Sequence, residues 1–157
     1  MKEDVAIWEV RYFTDQFQQP TEQGYVGNIN NFVGTFSNSA TSNSRLNVVF
    51  LIEDELAGIA LFEYGSNQVQ NIFTHKDIEY GITMRLDDGS DVELSGYIFA
   101  SGDRIKLAEE ARKTFIDALK TNEKVSFYIV NLETPTTSYL FTVETANFTD
   151  VYGDFSN

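Results

Sequence analysis

Cysteine is absent from the 157 residues, which excludes disulfides, thiolate metal sites and cysteine nucleophiles. Its absence leaves the compartment open, because exported bacterial proteins also go without it. Histidine occurs once, at His75, so a single chain assembles neither a two-histidine metal site nor a histidine-based zinc triad, and His75 reads as an ordinary loop residue. No Gly-x-Ser-x-Gly elbow exposes a serine, and no glycine-rich loop is present to cradle phosphate. No run of eighteen apolar residues occurs, so no helix is expected to span a membrane, and no secretory signal pattern is expected. Basic residues are few: 11 against 24 acids, a net charge of -13. With no basic excess to release counterions from phosphates, binding to nucleic acid or to an anionic membrane surface is disfavoured.

What is present is a β-rich composition. Hydrophobic residues make up 42% and aromatics 14%, with 13 Phe and 8 Tyr, which argues against disorder and for strands. The length is one domain's worth, 1–157, enough to bury about two thirds of the unfolded surface without a covalent staple. Leu107, Ala111, Phe115, Ala118 and Leu119 recur on one face of a helix, which needs a sheet to cover it. Glu109 and Glu110 suit its first turn and Lys120 its last, and Asn122 is expected to end it in the left-handed conformation. Val125, Phe127 and Ile129, then Tyr139, Phe141 and Val143, alternate as two strands of a hairpin joined across residues 133–137.

Upstream, residues 5–13 read as a first strand with Trp8, Val10 and Tyr12 on one side. Residues 14–31, punctuated by Pro20, Gly24 and Gly27, read as a long surface excursion pinned by Tyr25 and Val26. Phe32 to Phe36 resumes strand character, with Gly34 as a bulge or close-approach point. Ser37 to Ser44 is a polar loop. Leu46, Val48, Phe50 and Ile52 point inward from a strand whose other face carries Val49 and Leu51, so it is expected to be covered on both sides. Strands follow at 58–64 and 68–73, then a hairpin through Asp88-Gly89, the pair a type I′ turn favours. A single helical turn is expected at 147–152. The expected fold is mainly β, an antiparallel β-sandwich or partly open barrel of about eight to ten strands, with one helix near 108–120 packed on the sheet.

Few residues point to chemistry. Asp87, Asp88 and Asp91 form the one close cluster of three aspartates, but they lack the alternate-residue spacing of an EF-hand loop and read as a soluble turn. Tyr12, Tyr25, Tyr64, Tyr97 and Trp8 could form a sugar-stacking platform, although strand aromatics generally belong to a core. No cofactor, no metal site and no catalytic residue is expected. Long irregular connections carry function in compact domains, so the segments 16–30 and 37–44 are the candidate ligand surface, with Tyr25, Asn38 and Asn43 as candidate ligand-binding residues.

The strings WEVRYFTDQF from Trp8, GTFSNSATSNS from Gly34, LFEYG from Leu61 and TPTTSYLFTV from Thr134 together resemble a small domain of predicted lipoproteins in gut Bacteroidota. Met1-Lys2-Glu3-Asp4 is similar to the acidic tetrapeptide after the lipidated cysteine of such proteins, with Met in the cysteine's place. In outline, the late helix and strand pair are also similar to β-sandwich proteins of the bacterial envelope, including accessory proteins of type VI secretion. The resemblance implies an exported or surface-attached sandwich and transfers no catalytic residue. The expectation is a non-enzymatic binding or structural module of the cell envelope, contacting a protein or glycan through loops, with the membrane reached only through a lipid anchor. The alternative is an acidic cytoplasmic or phage-encoded protein that blocks a basic, nucleic-acid-binding partner by charge mimicry.

Overall fold

The computed structural model describes residues 6–72 and 75–156. In chain order the elements are β1 (Trp8–Thr14), β2 (Pro20–Asn28), β3 (Phe32–Ser37), β4 (Ser44–Ile52), β5 (Leu56–Glu63), β6 (Asn67–Gln68), β7 (Ile78–Arg85), β8 (Asp91–Ile98), β9 (Ile105–Ala108), α1 (Glu109–Thr121), β10 (Lys124–Asn131), β11 (Ser138–Glu144) and α2 (Phe148–Ser156). Eight strands close on themselves in the order β4-β3-β11-β10-β7-β8-β9-β5, with β5 returning to β4. The fold is thus a closed antiparallel barrel with extra strands, rather than two facing sheets. Closure follows from β4, which pairs with β3 along one edge and with β5 along the other, so the sheet keeps no open edge there. The strand expected at 68–73 shrinks to two-residue β6; Phe73 lies outside the described residues.

Strict alternation makes β4 the spine of the interior. Leu46, Val48, Phe50 and Ile52 are fully buried, while Val49 and Leu51 on the outer face are half-buried, so one face and not both is sealed. Rings fill the barrel: Phe127 stacks on Phe141 with centroids 5.1 Å apart, and Phe50 lies within 6.1 Å of both. Gly34 is a close-approach point as the pattern suggested. A Cβ there would sit 2.2 Å from the Leu140 carbonyl oxygen, so β3 reaches β11 only because this residue has none.

Helix α1 closes one end of the barrel, its apolar face turned to the interior. Phe115, Ile116, Ala118 and Leu119 are its buried residues, and Phe115 enters between Phe50 and Phe127 at 5.8 and 5.9 Å. Ile116 was missed because it stands beside the four-four-three step pattern. Leu107 is buried too, but from β9. Asn122 does not end the helix in the left-handed region: its backbone is extended, and its side-chain Nδ2 donates to the Ala118 carbonyl at 3.0 Å. The amide group caps by hydrogen bonding where the sequence suggested backbone tolerance. The expected terminal turn is the nine-residue α2, anchored by buried Phe148 against Trp8 at 5.0 Å, edge to face.

Two further corrections concern turns. Residues 20–28 are not an excursion but β2, paired with β1 from Trp8↔Asn28 to Thr14↔Pro20, so the irregular part is only the connection at 15–19. Pro20 opens that strand, a position where its missing N–H is tolerated. The β7–β8 hairpin is not type I′. Only Gly89 has positive φ, +85°, and the Leu86 N–H donates to the Ser90 oxygen while the Gly89 N–H donates to the Leu86 oxygen. Those two bonds describe a three-residue loop, a type I turn completed by a left-handed glycine.

Candidate functional site

The sequence-derived candidates do not converge. Tyr25 sits in β2, half-buried, its ring 4.7 Å from that of Phe13, near the helical end where Val26 pairs with Ile52. Asn38 and Asn43 lie in the β3–β4 connection at the opposite end, one strand length away, roughly 27 Å for nine residues. Both asparagines serve their own loop. Asn38 Oδ1 accepts from the Ala40 and Thr41 N–H groups at 2.8 and 3.1 Å; Asn43 has left-handed φ, +53°, and its N–H donates to Ser37 Oγ. Trp8 is 1% exposed, and Tyr12, Tyr64 and Tyr97 stand apart on β1, the β5–β6 turn and β8, so no stacking platform forms. His75 is exposed in the connection before β7.

The three aspartates of the β7–β8 turn are each engaged. Asp87 accepts from the Glu123 and Lys124 N–H groups at 2.6 and 3.2 Å, Asp88 accepts from the N–H and hydroxyl of Ser90, and Asp91 pairs with Arg85 at 2.8 Å. No group of three or more metal-ligating side chains occurs among the described residues.

At the barrel end away from the helices, Tyr139 donates its hydroxyl to Glu63 Oε2 at 2.8 Å, with Tyr80 nearby and Asn131 Nδ2 3.5 Å from the Tyr80 oxygen. Both tyrosines are 2% exposed. Burial, followed by the charges of Glu63 and Glu133, pushes the Tyr80 hydroxyl up to about 12; burial and Glu63 also raise that of Tyr139. These hydroxyls stay protonated and form a polar closure. The sequence signal was only that both alternate inward.

The helical end carries a different feature. Three clefts adjoin there, each sharing lining residues with the next. A cleft of about 420 Å³ is lined by Val10, Tyr12, Glu22, Gly24, Asp54 and Phe155, with Gln23 and Asp154. The next, about 350 Å³, shares Gln23, Gly24 and Asp54 and adds Glu53, Glu55 and Leu56. The third, about 470 Å³, shares Glu55 and Leu56 and runs to Ala108, Glu109 and Arg112. The result is one groove between the β1–β2 hairpin, the β4–β5 turn and the two helices.

Its charge is one-sided. Glu22, Glu53, Asp54, Glu55, Glu109 and Asp154 line it, and among the described residues none is paired with a cation. The one basic lining residue, Arg112, is committed: its Nη2 donates to the Glu53 carbonyl at 2.7 Å and the Tyr152 hydroxyl at 3.0 Å. The aromatic at the other end is presented outward. Tyr12 is 54% exposed and lies over Gly24, where a Cβ would come 3.2 Å from the ring. An apolar surface with carboxylates on its rim suits a cation on an apolar stem. Sequence reading missed this groove because its acids come from four separate elements and look like scattered solubilising charge.

Compared with known protein families, curated proteins and solved structures, the chain matches none.

Proposed function

We propose that the protein is a non-enzymatic binding module that holds a basic stretch of a partner protein in the groove at the helical end of its barrel. The observation that carries this reading is the convergence on one continuous groove of six carboxylates that no cation pairs among the described residues, with Arg112, the basic residue in its lining, hydrogen-bonded to the Glu53 carbonyl and the Tyr152 hydroxyl. Single exposed ion pairs contribute only about 0–1 kcal/mol, so affinity comes from several together with apolar contact at Tyr12, while the summed field directs encounter and choice of partner. The groups whose acidity the fold displaces most, Tyr80 and Tyr139, are closed off at the other end, which favours binding over catalysis at the groove. Asn38 and Asn43 spend polar groups on their own loop, so recognition through that loop has less support.

Calorimetric titration with an oligolysine peptide tests the reading. Binding is expected at low salt, weakening steeply as the Debye length falls to ~8 Å at physiological ionic strength. It should be lost in the triple variant Asp54→Asn, Glu55→Gln, Asp154→Asn and retained when Glu93, Glu133 and Glu144, exposed on β8, the β10–β11 turn and β11, are neutralised instead. Equal loss in both triples would show that net charge, not the groove, binds the peptide. Attachment at the bacterial surface through a lipidated cysteine is proposed from the sequence resemblance alone, and palmitate labelling of the native gene product tests it.

A further inference from the structure

Strand β1 ends the sheet, and among the described residues its outer edge is met at one place. There Asn147 acts as a one-residue strand: its Oδ1 accepts from the Ile7 and Trp8 N–H groups, and its Nδ2 donates to the Trp8 carbonyl, all at 3.0 Å. The main chain of Trp8 therefore faces away from β2. In an antiparallel ladder alternate residues share that direction, so Val10 and Tyr12 also turn their N–H and C=O groups outward. The opposite strand agrees. Val26, facing Val10 in the register, directs its pairing to Ile52 of β4, which makes Val10↔Val26 a pair that exchanges no bonds. Among the described residues no partner meets the Val10 or Tyr12 main chain, and no residue of β1 after Trp8 is buried.

The side chains of these two residues line the first cleft of the acidic groove, beside Glu22, Asp54 and Asp154. We infer that the basic partner segment binds as an added β-strand, hydrogen-bonded to the free edge of β1 at Val10 and Tyr12, with alternate basic side chains reaching those carboxylates. The inference rests on the groove reading above and adds the mode of capture. Main-chain bonds along an edge give sequence-tolerant affinity, and the alternation of side chains places every second one on the groove face. Asn147 sets the register by occupying the position that would precede the added strand. The bulge between Tyr12 and Thr14 limits the far end, so the docked stretch is short.

The test compares three peptides of identical charge, a hexapeptide of alternating lysine and valine and its two forms N-methylated at one or the other set of alternate amides, so that one or the other edge cannot donate. Calorimetry should show the form methylated on the docking edge binding roughly tenfold or more weakly than the parent, since each lost main-chain bond removes a net contribution on this scale. In the unmethylated complex, the Val10 and Tyr12 amide protons should become protected from hydrogen exchange. If both methylation registers bind as tightly as the parent, with the same salt dependence, strand addition is overturned while the acidic groove stands. If none of the peptides binds at low salt, the groove reading falls and the inference falls with it.

Discussion

Asn28 allows the sharpest test of how the barrel is held, because a side-chain amide there does the work of a ladder. Along one edge of β4 the partner changes from β3, which ends at Phe32↔Val48, to β2, which arrives at Val26↔Ile52. Between those points Asn28 Nδ2 donates to the Val48 carbonyl at 3.0 Å and to the Asn30 carbonyl at 2.8 Å, and Asn28 Oδ1 accepts from the Phe50 N–H at 2.8 Å. Asn28 is 3% exposed and Val48 and Phe50 are fully buried. Asn28→Val, similar in size, strands one donor and one acceptor away from water. At about 1–3 kcal/mol for each unsatisfied buried group, the loss should be about 2–6 kcal/mol. Asn28→Asp adds a signature in pH. Burial beside two carbonyls would raise the new carboxyl's folded-state pKa above its unfolded value near 4, so this variant should be closest to wild type at low pH and lose stability as pH rises through the raised value. Urea denaturation of wild type and both variants, repeated at acid and neutral pH, reads each effect. A loss below about 1 kcal/mol for Asn28→Val would refute the reasoning and show that β2 or β3 slides to satisfy β4 with its own backbone.

Phe115→Ala should cost about 3–5 kcal/mol by leaving a cavity between Phe50 and Phe127, and a melting temperature within error of wild type would show that α1 does not close the barrel. On the alkaline side, Tyr80 holds its proton up to about 12 against roughly 10 when unfolded. The stability this provides is therefore complete below pH 10 and lost between 10 and 12, where the difference between ultraviolet titrations of wild type and Tyr80→Phe should show one phenolate appearing together with unfolding; that phenolate appearing at pH 10 in the folded protein would contradict the burial argument. Millimolar Ca²⁺ should leave the melting temperature unchanged, since Asp87, Asp88 and Asp91 already accept from the chain, and a saturable rise abolished by Asp88→Asn would overturn that view.

Local periodicity carried much of this architecture. The inward residues of β4, β10 and β11 are legible because alternation is a short-range property, and the apolar face of α1 is legible for the same reason. Closure was not. Whether strands face each other in two layers or join in a ring depends on which edges meet, here β3 with β11 and β5 with β9, and those pairs lie far apart in sequence. Asn122 reads by type as a left-handed cap, and Asn28 and Asn147 carry no signal of their own inside the segments 14–31 and 147–152, whereas each acts through its amide on a distant or buried backbone group. A residue's propensity describes its own backbone and is silent on what its side chain completes. The hairpin at 8–28 was obscured because Pro20, Gly24 and Gly27 lie inside it, where they start a strand and make room for the Tyr12 and Tyr25 rings. The groove was hidden for a related reason, its carboxylates being collected only by closure.

The clasp between Asn147 and the start of β1 bears on how the chain is made. The contacts from Ile7 and Trp8 to Asn147 span 140 and 139 positions, and the Trp8 indole donates to the Glu144 carbonyl across 136. On the ribosome, the first strand emerges long before the residues that secure it, at about 5–20 residues per second, so it must wait several seconds or more with its edge and its tryptophan unprotected. Barrel closure through β11 is equally late. Nascent chains should thus be aggregation-prone until Glu144 and Asn147 have emerged, and refolding should be slow for the size of the domain because its decisive contacts are remote in sequence. The short charged tract of β1, with Glu9 and Arg11 bound to each other between Trp8 and Tyr12, is well placed to keep that waiting strand from pairing with a neighbour on the same message.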